Sequence, residues 1–128
     1  MAGDETIRIR QQVLQDLLAM TEGKKQAMTV AAEWLKQAHD KTLQWVYHWV
    51  CDMIRIKGGD ESFVVNQDIS HQLQSFAQTI DLNRLYQFLD QLSDAIRLQK
   101  TSANELLLLE GLLLNWTYLK TDRHQKRA

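Results

Sequence analysis

Seven leucines fall within the nine residues from Leu106 to Leu114, interrupted only by Glu110 and Gly111. A helix that serves one small core needs a single apolar stripe with polar residues opposite it. Within the segment from Ser102 to Leu119, the line Leu106, Leu109, Leu113, Trp116 already supplies that stripe. Leu107 and Leu114 fall on a second line, and Leu108, Leu112 and Leu119 on a third. Such a helix is apolar nearly all round, so it must be central in the fold or covered by another protein chain. It is too short and too interrupted to cross a bilayer, which takes about 20 uncharged apolar residues. The pattern points to an assembly module rather than an enzyme.

The rest of the composition favours helices. Proline is absent and glycine occurs five times in 128 residues, which disfavours turn-rich β architectures and permits long helices. That length predicts one domain, large enough to bury a core without staples. A net charge of -1 gives no overall basis for nucleic-acid affinity. The single cysteine, Cys51, excludes an internal disulfide framework and suits a reducing compartment. No charged-then-apolar leader opens the chain. The expectation is a soluble, cytoplasmic, all-α protein with no membrane partner.

Periodicity and caps predict a compact bundle of about six helices. Residues 1–6 read as a disordered or cloning-derived start, although Asp4 or Thr6 could cap a first helix running to about Thr21. Val13, Leu14, Leu17, Leu18 and Met20 are its apolar set, and Gly23 stops it. A second helix, from Lys25 to Ala38, repeats Ala27, Val30, Ala31, Trp34, Leu35 and Ala38. Asp40 caps a third, with Leu43, Val46, Tyr47, Val50, Met53 and Ile54 on one side, Trp45 and Trp49 broadening it, and Gly58-Gly59 ending it. Asp60 to Gln67 is the one substantial loop, with Phe63-Val64-Val65 as a brief extended piece. Asp68 caps a fourth helix carrying Ile69, Leu73, Phe76, Ala77 and Ile80. Asp81 opens a fifth carrying Leu85, Phe88, Leu89, Leu92 and Ile96. Ser102 and Glu105 have the spacing of a capping box for the sixth. One helical domain therefore covers residues 7–120, followed by a basic, flexible tail over 121–128.

Catalytic and metal-binding patterns are missing from the sequence. His39, His48, His71 and His124 have no partner histidine at helical metal spacing. His39-Asp40 resembles the dipeptide of HD-type phosphohydrolases, but no histidine precedes it to complete a metal site. Cys51, beside Val50 and Met53, reads as a small core hydrophobe rather than a nucleophile. There is no GxxxxGK[ST], GxGxxG or GxSxG, and Gly58-Gly59-Asp60-Glu61 lacks the spaced oxygens of a calcium loop. No cofactor or metal is expected.

Basic residues are scattered: Arg8 and Arg10, Lys24-Lys25, Arg97 and Lys100, then Lys120, Arg123, Lys126 and Arg127. Several lie near predicted helix C-termini, where the helix dipole favours them and they stay solvated. Trp34, Trp45, Trp49 and Trp116 all stand in apolar stripes, which makes core packing their default role. Four large rings beside a nearly all-apolar helix are nonetheless a heavy load for one small bundle, and aromatic anchors are enriched at interfaces. Gly111, mid-helix, costs about 1 kcal/mol relative to alanine. Either a close backbone crossing explains it or a well-packed helix carries the cost.

The segment WLKQAHDKTLQWVYHWVCDMIRIKGG (Trp34 to Gly59), then Asn66-Gln67-Asp68, then RLYQFLDQLSDAIRLQKTSANELLLLEGLLLNW (Arg84 to Trp116) resembles one family. It is similar to the C-terminal domain of the delta-prime subunit of bacterial DNA polymerase III, part of the clamp loader. The resemblance runs from about Ile7 to Leu119, and its most specific part is the fifth helix followed by Asn104, Glu105 and the leucine run. It implies a helical collar domain that packs with collar domains of the gamma or tau and delta subunits. In the family's whole subunit two AAA+ modules precede the collar, and delta-prime is a stator without ATPase activity. This chain lacks those modules, so no nucleotide site or arginine finger carries over, and sliding clamp and DNA would be reached only indirectly. The chain reads as an isolated collar domain.

On this reading the function is non-catalytic oligomerisation supporting clamp loading in DNA replication, within the DNA polymerase III holoenzyme. Leu107, Leu108, Leu112 and Asn115, off the main stripe, are the candidate protein-interface residues. The competing reading places these leucines under the first or third helix of the same bundle. The alternative function is an independent helical nucleic-acid-binding or adaptor domain, which a dense basic face on one helix would support.

Overall fold

The computed structural model describes residues 2–37, 41–59, 70–99 and 104–119. Among them are six helices and no strand: α1 (Ala2–Thr21), α2 (Ala27–Gln37), α3 (Thr42–Lys57), α4 (Ser70–Ala77), α5 (Leu82–Gln99) and α6 (Glu105–Thr117). The all-α bundle expected from the periodicity is the fold. The sequence reading leaves residues 1–6 outside the fold, yet α1 is already helical from Ala2, with Asp4 and Glu5 in its first turn where the dipole favours acids. The expected Asp40 and Asp68 caps, the loop from Asp60 to Gln67 and the tail over 121–128 lie outside the described residues.

Helix ends follow local chemistry. Gly23 ends α1 at φ 77°, and Lys24 N–H donates to Ala19 O at 2.8 Å across that left-handed turn. Gly59 takes φ 84° just past α3, where a side chain would be strained. At α5 the Asp81 carboxylate accepts from Arg84 N–H at 3.2 Å, as expected of an N-terminal cap. At α6 the cap is Asn104 rather than Ser102: the Asn104 side-chain oxygen accepts from Leu107 N–H at 3.2 Å. An amide side chain two residues nearer the helix reaches the orphan N–H directly, so Glu105 begins the helix instead of closing a box.

α6 packs against α2, α5 and α1, and α3 packs against α5, α4 and α1. Trp116 joins the two groups. Its ring meets Phe76 of α4 edge-on at 4.9 Å between centroids and Phe88 of α5 at 5.4 Å. Its indole N–H donates to Leu17 O of α1 at 3.1 Å, capping a polar atom that would otherwise be orphaned. Around it Leu14, Leu17, Val46, Trp49, Val50, Met53 and Leu73 close the centre, leaving a void of about 10 Å³. That is at or below the lower limit for holding a water, and its lining is apolar.

Two carboxylates inside the bundle were not singled out in the sequence. Asp16 is 2% exposed and accepts from Trp34 Nε1 at 2.9 Å, Lys25 Nζ at 2.8 Å and Gln12 Nε2 at 3.0 Å. It ties α1 to α2 and to the turn between them. Asp52 is 0% exposed and accepts from Arg55 at 2.9 Å. Nearby, the Arg10 guanidinium lies 5.5 Å from the centroid of the buried Trp49 ring.

Replacing Asp16 by alanine orphans the Trp34 indole N–H, and the expected loss is about 1–3 kcal/mol in a urea titration. The hydrogen bond to Asp16 outweighs the cost of burial, and with added attraction to Asp16 and Glu33 it holds the Lys25 pKa above 10.5. A raised folded-state value means the contribution is fully present below pH 10.5 and is lost as pH rises through the folded value. The difference in urea midpoint between wild type and Lys25→Met is therefore constant from about pH 7 to about pH 10 and shrinks above it.

Candidate interface on helix α6

The inward side of α6 consists of Leu109, Leu112, Leu113 and Trp116, continued by Leu119, each at most 5% exposed. One turn of an α-helix is 3.6 residues, so Leu107, Gly111, Leu114 and Tyr118 share the opposite side. All four are exposed. Leu107 is 62% open to solvent, Leu114 36% and Tyr118 70%. The helix thus has an apolar core face and an apolar outer face, and the other described residues cover only the first.

The outer face borders α5. Three cross-ties between side chains or backbone fix α6 against that helix: Arg84 Nη1 to Tyr118 O at 2.9 Å, Asn115 Nδ2 to Gln91 Oε1 at 2.9 Å, and Gln99 Nε2 to Glu105 at 3.5 Å. Their order shows that the two helices run antiparallel. Leu98, next to Gln99 at the end of α5, is 40% exposed. The ties restrain the outer face of α6, an arrangement that would limit the ordering cost of any association there.

Of the sequence-named interface residues, Leu107 is on this surface and Leu108 is half-buried against the core beside it. Asn115 is half-buried and already engaged with Gln91. Leu112 is different: it is 5% exposed and belongs to the core, because α1, α2 and α5 enclose α6 on that side. It is not part of the surface. Leu114 and Tyr118 are, and the sequence carried their signal: both continue the line of Leu107 at helical spacing.

Gly111 lies in the middle of the outer face. A Cβ built there meets no atom within 4 Å. Among the described residues no close crossing accounts for the glycine, whose position is open to an external one.

Among the described residues, the other candidate groups stand apart from one another. Cys51 is half-buried, and burial pushes its thiol pKa up, away from the activated thiolate. His48 is exposed with its ring edge-on to Tyr47 at 6.0 Å, and His71 is exposed. His39 and His124 lie outside the described residues. Among the described residues, no three His, Cys, Asp or Glu side chains gather where a metal could sit, and no helix is long and apolar enough to cross a membrane.

The family model described as "DNA polymerase III, delta subunit, C terminal" matches residues 4–118. No curated protein and no solved structure matches the chain. The model names delta, whereas the sequence resemblance points to delta-prime. Common to both is the C-terminal domain of a clamp-loader subunit of DNA polymerase III.

Because the Gly111 position is open inside the chain, Gly111→Ala is expected to stabilise the free protein by about 1 kcal/mol, read from chemical denaturation.

Proposed function

Since the chain belongs to the family of C-terminal domains of the DNA polymerase III delta subunit, we propose that it is a non-catalytic collar that joins its neighbours in the loader through the outer face of α6. The observation that carries this reading is the second apolar face. Leu107 and Leu114, with Tyr118 at the C-cap, are large, exposed and in line along a helix whose other side is the core of the bundle. Burying one leucine is worth roughly 1.5–3 kcal/mol, so several such residues offset association costs once a partner covers them. The gamma or tau collars and the remaining delta-type collar are the partners this reading requires. Sliding clamp and DNA are then served indirectly, by the ring that the collars hold together.

The family description favours the delta position in the ring. The resemblance of Trp34 to Gly59 and Arg84 to Trp116 favours delta-prime. Omission experiments separate them: the chain restores a loader assembled without a delta C-terminal domain in the first case, and one assembled without delta-prime's in the second. An independent nucleic-acid-binding role has less support. Arg97 is paired with Asp94 at 3.0 Å, Lys25 with Asp16, and Lys24 with Glu22 at 3.2 Å, so these cations are already matched by carboxylates.

Leu107→Asp changes a residue that is 62% exposed, so folding is expected to survive within about 0.5 kcal/mol. Co-purification with co-expressed gamma or tau and the other delta-type protein is expected to fall at least tenfold. Undiminished co-purification of a folded Leu107→Asp chain would overturn the reading, and a salt-sensitive shift of duplex DNA by the wild-type chain would favour the alternative.

A further inference from the structure

Glu110 is the one charged residue of α6 beyond its first turn. It stands three residues after Leu107 and four before Leu114, which places it at the edge of the outer face. Its side chain is half-buried and makes no hydrogen bond or ion pair with any described residue. On the opposite edge stands Asn115, a neutral amide that has its partner in Gln91. The outer face is therefore apolar along its middle, with the Glu110 carboxylate on one flank and the Asn115 amide of α6, beside Arg84 of α5, on the other.

A protein surface laid on Leu107, Gly111 and Leu114 removes water from Glu110 as well. Desolvating an unpaired carboxylate costs more than the neighbouring apolar contacts return, unless a cation meets it. From this unpaired charge, and resting on the collar reading above, we infer that the covering surface is an apolar helix face of a neighbouring loader protein that presents a Lys or Arg to Glu110. The same charge argues against other occupants. Two copies of this chain crossing antiparallel at Gly111 would place both Glu110 carboxylates beside the twofold axis, where like charges repel. A nucleic-acid backbone would set phosphates against the same carboxylate. The cation also fixes register: a neighbouring helix shifted by one turn loses the pair while keeping its apolar contacts, so Glu110 discriminates among apolar partners.

The test uses this chain with the co-expressed remaining loader subunits of its own DNA polymerase III, titrated at low and high salt. Glu110→Lys is expected to weaken co-assembly at least tenfold and Glu110→Gln by less. Carbodiimide treatment of the wild-type complex should link Glu110 to the partner if the cation is Lys. If it is Arg, no link forms, and charge reversal of an arginine on the covering face should rescue Glu110→Lys. Matching melting curves for the free variants confirm that each is folded. If both Glu110 variants assemble as wild type does while Leu107→Asp fails, the cation inference falls and the collar reading stands. If all three variants assemble normally, both fall. Self-association of the free chain that Glu110→Gln tightens would assign the face to a second copy and overturn the inference, as would duplex DNA binding that Glu110→Lys strengthens.

Discussion

The fold depends on how Trp116 is held. One indole ring at the end of α6 touches Phe76 and Phe88 at 4.9 and 5.4 Å and donates its N–H to the Leu17 carbonyl at 3.1 Å. Through it α6 is fixed to α1, α4 and α5 together. Truncating a buried tryptophan typically costs about 3–5 kcal/mol, a large share of the roughly 5–15 kcal/mol that keeps a domain folded. With Trp116 fixed, the rotation of α6 about its own axis is fixed too. That rotation puts Leu109, Leu112 and Leu113 inward, and it leaves Leu107, Leu114 and Tyr118 outward. The orientation of the proposed interface is thus set by a core contact.

Polar groups make the same division firm. Asp16 gathers Trp34, Lys25 and Gln12, so α2 cannot slide along α1 without orphaning a buried carboxylate. Arg84, Gln91 and Gln99 tie α5 to α6 on the other side. α6 is therefore clamped between α2 and α5 by packing and restrained by hydrogen bonds at its margins. A surface held in this way meets a partner as a preformed shape, which suits a structural joint better than a moving part.

The sequence made much of this legible, and the limits have physical causes. Periodicity located all six helices, since apolar spacing of 3 and 4 survives any tertiary arrangement. Gly23 and Gly59 marked their ends because only a left-handed residue closes those turns cheaply. Three lines of leucine on α6 were also visible. Which line faces outward was not, because that depends on where α1, α2 and α5 lie, and Leu112 went to the wrong side for that reason. Leu114 and Tyr118 were recoverable from their register with Leu107. The buried Asp16 and Asp52 had a weaker signal. Each stands three residues after a buried apolar side chain (Val13 or Trp49), at a position that a plain amphipathic stripe would fill with a hydrophobe.

The central claim is that the outer face of α6 is solvent-exposed in the free chain and buried in the assembled loader. Hydroxyl-radical footprinting of the two states measures this directly. Tyr118 and Leu107 should be oxidised readily in the free chain and protected severalfold after assembly, while His48, exposed on α3, stays equally reactive as the reference. Equal oxidation of Tyr118 and Leu107 in both states, with the complex intact, would contradict the account.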